Sequence, residues 1–147
     1  MVLAKRLELL LIENSPADAR LVVEALRQSS TATHLSHARN GEDGLAFLHR
    51  QGAYTAAPRP DLVVLDMDLG AGRRGRQVLE ETKSDAALRT IPVVVLIGSS
   101  EPRDIQRSYD LHASAHVTKP IQLDDFLARV SSIVGFWQEI ATPPPRP

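Results

Sequence analysis

No cysteine occurs in the chain. Disulfides and thiol chemistry are therefore excluded, and a reducing cytoplasm suits the composition. A charge excess is missing too: 17 Lys and Arg stand against 18 Asp and Glu. A net charge of −1 provides no bulk field that would draw the protein to nucleic acid or an anionic membrane. Long apolar runs are absent. The stretch "LELLLI" near the start is too short to span a bilayer. Glu13 and Asn14 follow it where a signal peptide would place small residues. The chain reads as a soluble cytoplasmic protein without nucleic-acid or membrane partners. Aromatic residues are scarce: three Phe, two Tyr and one Trp.

What is present is an alternation of apolar runs and amphipathic segments across 147 residues, enough for one core. The pattern predicts strands at 6–12, 33–38, 61–66, 91–98 and 115–118. It predicts helices at 15–30, 40–52, 76–84, 101–112 and 123–140. Ser15, Pro16 and Asp18 make a strong start for the first helix, with Asp18 complementing the dipole. Residues 61–66 and 91–98 are continuously apolar over most of their length, the mark of strands buried on both faces. Five strands alternating with five helices predict an α/β domain with a parallel sheet covered on both sides. The domain spans 1–141. The closing "TPPPRP" makes 142–147 a disordered, polyproline-like tail.

In such sheets, sites form beyond the carboxyl ends of the strands. The first strand delivers Glu13 and Asn14 there, the third Asp66 and Asp68. The fourth delivers Gly98, Ser99 and Ser100, and the fifth Thr118, Lys119 and Pro120. Clustered carboxylates call for a hard cation such as Mg²⁺, and a lysine beside them suits a phosphoryl group. The stretch "VVLDMDLGAGRRG" nevertheless stays open to more than one reading. Its Asp-x-Asp can be a phosphatase nucleophile with its acid, a metal site, or one phosphate-accepting aspartate with an incidental neighbour. The histidines suggest no transition-metal site. His34 and His37 are three apart on a strand and face opposite ways, and His112 and His116 fall in different elements.

"LLLIENSPADARL", "PDLVVLDMDL", "IPVVVL" and "VTKP" together resemble the receiver domain of two-component response regulators over roughly 6–137. The wider wording, with its closing "FW", is similar to small stand-alone regulators associated with phytochrome-type sensor kinases. The resemblance implies a flavodoxin-like, doubly wound (βα)5 fold. It implies that Asp66 accepts a phosphoryl group from a sensor histidine kinase or a histidine phosphotransfer protein, and that Lys119 contacts that group. It implies Mg²⁺ held by Glu13, Asn14, Asp66 and the backbone carbonyl of Asp68. The chain departs from the family pattern at Asn14, where a second acid is usual, which makes Mg²⁺ binding weak. Ile97 stands where a threonine or serine hydroxyl is usual, and His116 where an aromatic ring is. The loop after Asp66 carries an extra residue and brings Arg73 and Arg74 near the pocket.

In the last helix, Leu123, Phe126, Leu127, Val130, Ile133, Val134 and Trp137 share one stripe, which the sheet can bury. Phe136 lies off that stripe and Ile140 at its edge. Phe136, Trp137 and Ile140 are accordingly expected to form an interface along the last two helices, in a homodimer or with a partner. Two function classes compete. The first is a non-enzymatic signalling receiver. The second is a Mg²⁺-dependent phosphatase of the haloacid dehalogenase type, with Asp66 as nucleophile and Asp68 as acid. The position of Asp-x-Asp on the third strand disfavours the phosphatase.

Overall fold

Which face a strand residue occupies follows from alternation, and alternation also sorts the core into two halves. A computed structural model describes residues 6–28, 33–69, 74–98, 102–119 and 123–137. In chain order the strands are β1 (Leu7–Ile12), β2 (Thr33–Ala38), β3 (Leu62–Asp66), β4 (Val93–Ile97) and β5 (Ala115–Thr118). The helices are α1 (Pro16–Gln28), α2 (Gly41–His49), α3 (Gly75–Ser84), α4 (Pro102–Asp110) and α5 (Leu123–Gly135). All strand pairings are parallel, in the order β2-β1-β3-β4-β5. The sheet grows one way from β1 to β2 and the other way from β3 onward, so the switch point lies between β1 and β3.

Leu7, Leu9 and Leu11 of β1 pack with Leu62, Val64, Val94 and Leu96 beneath α1 and α5. Leu10 and Ile12 pack with Val63, Leu65, Val93 and Val95 beneath α2 and α3. Both halves are close to fully buried, which makes β1, β3 and β4 the hydrophobic centre of the molecule. In α5, Val130 and Val134 are buried, and Leu127, Ile133 and Trp137 pack against the same half as β1's odd residues. The side chains of Leu123 and Phe126 lie outside the described set.

Element ends differ from the sequence expectation for local reasons. β3 begins at Leu62 because Asp61 is a brace. Its carboxylate accepts from the Glu8 amide at 2.9 Å, and its own N–H donates to the Glu8 carbonyl at 2.8 Å. β4 begins at Val93, since Pro92 has no N–H to give. α2 stops at His49, because Arg50 adopts a left-handed φ of 54°, and a single 3-10 turn follows at Gly52–Tyr54. α5 ends at Gly135 and gives way to a π turn through Phe136 and Trp137. Ile140 and the 142–147 tail lie outside the described residues.

Ser114 pins the start of β5. Its N–H donates to the Val93 carbonyl at 2.8 Å, and its hydroxyl accepts from the Val93 amide at 3.2 Å. No helix among the described residues is long and apolar enough to cross a membrane.

Candidate functional site

The alternation that sorts the core also assembles the site. Odd residues of β1, even residues of β3 and odd residues of β5 all face α1 and α5. One step further along each strand come Glu13, Asp66 and Lys119, all on that face and all at the switch point. Their backbones are tied by ladder bonds that outlast the strands. The Glu13 N–H donates to Ala38 O at 3.0 Å, Met67 N–H to Leu96 O at 3.0 Å, and Lys119 N–H to Ile97 O at 2.8 Å. On the β2 side, the His37 Nε2 lies 2.8 Å from the Glu13 carbonyl.

Lys119 Nζ is the hub. It lies 3.0 Å from Asp66 Oδ2, 3.2 Å from Glu13 Oε2 and 2.8 Å from Asp18 Oδ2. An ammonium has three donors, so all three are spent on carboxylates. Asp66 Oδ1 accepts from the Asp68 amide at 3.0 Å, and Glu13 Oε1 from the Ser15 amide at 3.1 Å. Glu13 and Asp66 are buried, whereas the Asn14 and Asp68 residues are exposed at the mouth.

Burial pushes the Glu13 carboxyl up to about 8, reinforced by its hydrogen bond to Asp66 and by that group's charge. The Ser15 amide and Lys119 pull the other way and are outweighed. For Lys119, burial alone would lower the pKa. Hydrogen bonds to Asp18 and Asp66 and the charges of Asp66 and Glu13 outweigh it, and the ammonium is held above its ordinary range. The pocket thus concentrates more negative charge than one lysine balances.

Close packing behind Asp66 shapes the same loop. A Cβ placed on Gly75, the first residue of α3, would lie 2.5 Å from Met67 Cα and 2.6 Å from the Asp66 carbonyl oxygen. Only glycine lets the helix start this near the backbone.

The remaining sequence candidates lie apart from this hub or outside the described residues. Ile97 is half-buried and packs against the α2/α3 half of the core. Ser99, Ser100 and Arg73 are outside the described residues. Arg74 is exposed at the start of α3, with its amide donating to Gln77 Oε1 at 3.1 Å. The His116 amide donates to the Tyr109 hydroxyl at 3.2 Å. Phe136 is 47% exposed and meets Trp137 edge-on at 5.7 Å, while Trp137 is half-buried against the core.

Asp18 is the site residue that the sequence reading did not identify. From the sequence it only complements the helix dipole, yet its carboxylate makes the shortest contact to Lys119. A signal was available. Helix side chains lean toward the N-terminus, and α1 opens directly above the end of β1. Among the described residues, no group of three or more His, Cys, Asp or Glu side chains is arranged to hold a metal ion.

Comparison with known proteins agrees with this architecture. The chain matches the response regulator receiver domain over residues 9–131. It is 43% identical to the response regulator Rcp1 of a Synechocystis species over 136 residues, covering 92% of each chain. The crystal structure of the Mn(2+)-bound form of Rcp1 superposes with a TM-score of 0.87 at 42% identity, covering 94% of this chain and 99% of that one. The phosphorylated cyanobacterial phytochrome response regulator RcpA superposes with a TM-score of 0.90 at 40% identity, covering 96% and 100%. None of these supports the haloacid dehalogenase alternative. The chain belongs to the response regulator receiver-domain family and is related to the phytochrome response regulators.

Proposed function

We propose that Asp66 is the phosphoacceptor of a two-component phosphorelay. One observation carries this reading: Asp66 is a buried carboxylate held by the Asp68 amide on one oxygen and by the Lys119 ammonium on the other. Both contacts orient it, and the lysine can meet the charge of an incoming phosphoryl group. In the transfer, an Asp66 oxygen attacks the phosphorus of a phosphohistidine on a sensor kinase or phosphotransfer protein. The P–O bond forms, the P–N bond breaks, and the imidazole leaves with its electron pair and takes a proton. No substrate is turned over, so the protein acts as a signalling receiver rather than an enzyme.

A divalent cation fits the donor set. Two buried carboxylates share one lysine between them, and burial raises the Glu13 pKa, with the hydrogen bond to Asp66 and that group's charge adding to it. Asp66, Glu13, the Asn14 amide and the Asp68 carbonyl would hold Mg²⁺ by oxygens alone, as that ion prefers. When bound, it neutralises charge on the phosphoryl oxygens. An amide at Asn14 is a poorer ligand than a carboxylate, so the affinity is weak for this family.

The output surface is the face of α4, β5 and α5. A groove of about 630 Å³ runs there, lined by Ile105, Tyr109, Val117, Ala128 and Ile133 among others. Tyr109, which lines the groove, and Phe136, just beyond the end of α5, are both nearly half exposed. A second copy of the chain is its proposed occupant. Ile97 has no hydroxyl to bond the phosphoryl group, which makes the conformational response to phosphorylation small.

The chemistry is tested by intact-mass measurement after incubation with acetyl phosphate and Mg²⁺. The wild type gains one phosphoryl group and Asp66→Asn gains none. A wild type without the gain, or a mutant with it, overturns the assignment.

A further inference from the structure

We infer that Asp18 is a positioning residue for phosphoryl capture: it anchors the Lys119 ammonium while the lysine's other two partners are engaged elsewhere. This rests on the phosphoacceptor reading above. Lys119 Nζ has three carboxylate partners, and two of them change role during the cycle. Asp66 becomes an acyl phosphate, with one oxygen turned into an ester oxygen and its full charge lost from the carboxylate. Glu13, buried beside Asp66, is one of the oxygen ligands that would hold the cation. Asp18 takes part in neither event.

Asp18 is also held for the task. Its amide donates to Ser15 Oγ at 3.2 Å, which fixes the first turn of α1. Its carboxylate sits 2.8 Å from Nζ, closer than Asp66 at 3.0 Å or Glu13 at 3.2 Å. At 32% exposure it lies at the rim, with Glu13 and Asp66 deeper in the pocket. A rim anchor leaves the ammonium free to turn one donor inward to a phosphoryl oxygen without swinging into solvent. A charge-assisted hydrogen bond of this length restrains a flexible four-carbon stem that would otherwise sample many rotamers.

The sign of the effect makes this testable. Electrostatics alone predicts that deleting an acid beside an anion site tightens anion binding. Anchoring predicts that it weakens. The probe is beryllofluoride at saturating Mg²⁺, titrated into wild type, Asp18→Ala and Asp18→Asn, with circular dichroism confirming the fold of each. The inference expects about tenfold weaker binding in Asp18→Ala, the scale of one charge-assisted contact. Asp18→Asn should fall between, since its amide oxygen still accepts from the ammonium. If Asp18→Ala unfolds, Asp18→Asn carries the comparison alone. Unchanged or tighter binding in the folded variants, with normal binding in the wild type, overturns the inference and leaves the phosphoacceptor reading standing. A wild type that binds no beryllofluoride overturns both.

Discussion

Burial favours the protonated form of Glu13 over a pH range in which most surface carboxylates are ionised. Its folded-state pKa is about 8 against an ordinary 4.5. Between those values the folded chain holds a proton that the unfolded chain has released. Unfolding then releases a proton, so stability falls as pH rises through this window. In metal-free protein kept with a chelator, the urea midpoint should drop between about pH 5 and about pH 8.5. Glu13→Gln should flatten that drop, because the amide does not titrate. Equal pH slopes in the two proteins would contradict the burial argument. The convergence of Glu13, Asp66 and Lys119 was legible in the sequence, because each stands at the end of a strand of one parallel sheet. Asp18 was not, because its role depends on where a lysine a hundred residues away places its amine.

α3 begins against the backbone that carries Asp66, and Gly75 is what allows it. A methyl at that position would meet Met67 Cα and the Asp66 carbonyl, neither of which can rotate aside. Gly75→Ala should therefore cost about 1–3 kcal/mol, the scale of overpacking a closed site. The displaced loop should also slow phosphorylation by acetyl phosphate. Denaturant unfolding checks the first effect and intact-mass kinetics the second. A variant as stable as the wild type would show that the loop yields freely. The same contrast explains which elements the sequence revealed. β1, β3 and β4 were legible because apolar runs, interrupted only by Glu8 in β1 and closed by Asp66 in β3, leave little choice. The end of α2 was not, since Arg50 rather than a glycine takes the left-handed turn. The end of α5 was missed because apolar spacing continues past Gly135 while the backbone changes to a π turn.

For the whole molecule, Tyr109 lines the groove between α4 and α5, and the ring of Phe136 is exposed just beyond the end of α5. If two copies meet there, Phe136→Glu should raise the dimer dissociation constant at least about tenfold in sedimentation equilibrium, as loss of an aromatic anchor does. The monomer's melting temperature should stay the same, because Val130 and Val134 hold α5 to the sheet from its other side. A wild type that stays monomeric at high concentration would rule the interface out. The brace at the head of β5 has a different kind of consequence, one for the length of the chain. Ser114 locks onto Val93 through both its amide and its hydroxyl. Every residue downstream inherits that register, Lys119 included. An insertion in the loop ahead of Ser114 is absorbed there and leaves the amine aimed at Asp66. The same single residue added between Ser114 and Lys119 turns the amine to the opposite side of the sheet, since one step reverses the facing of every later side chain. Chain length is thus tolerant in the loop just ahead of this serine and fixed between it and Lys119.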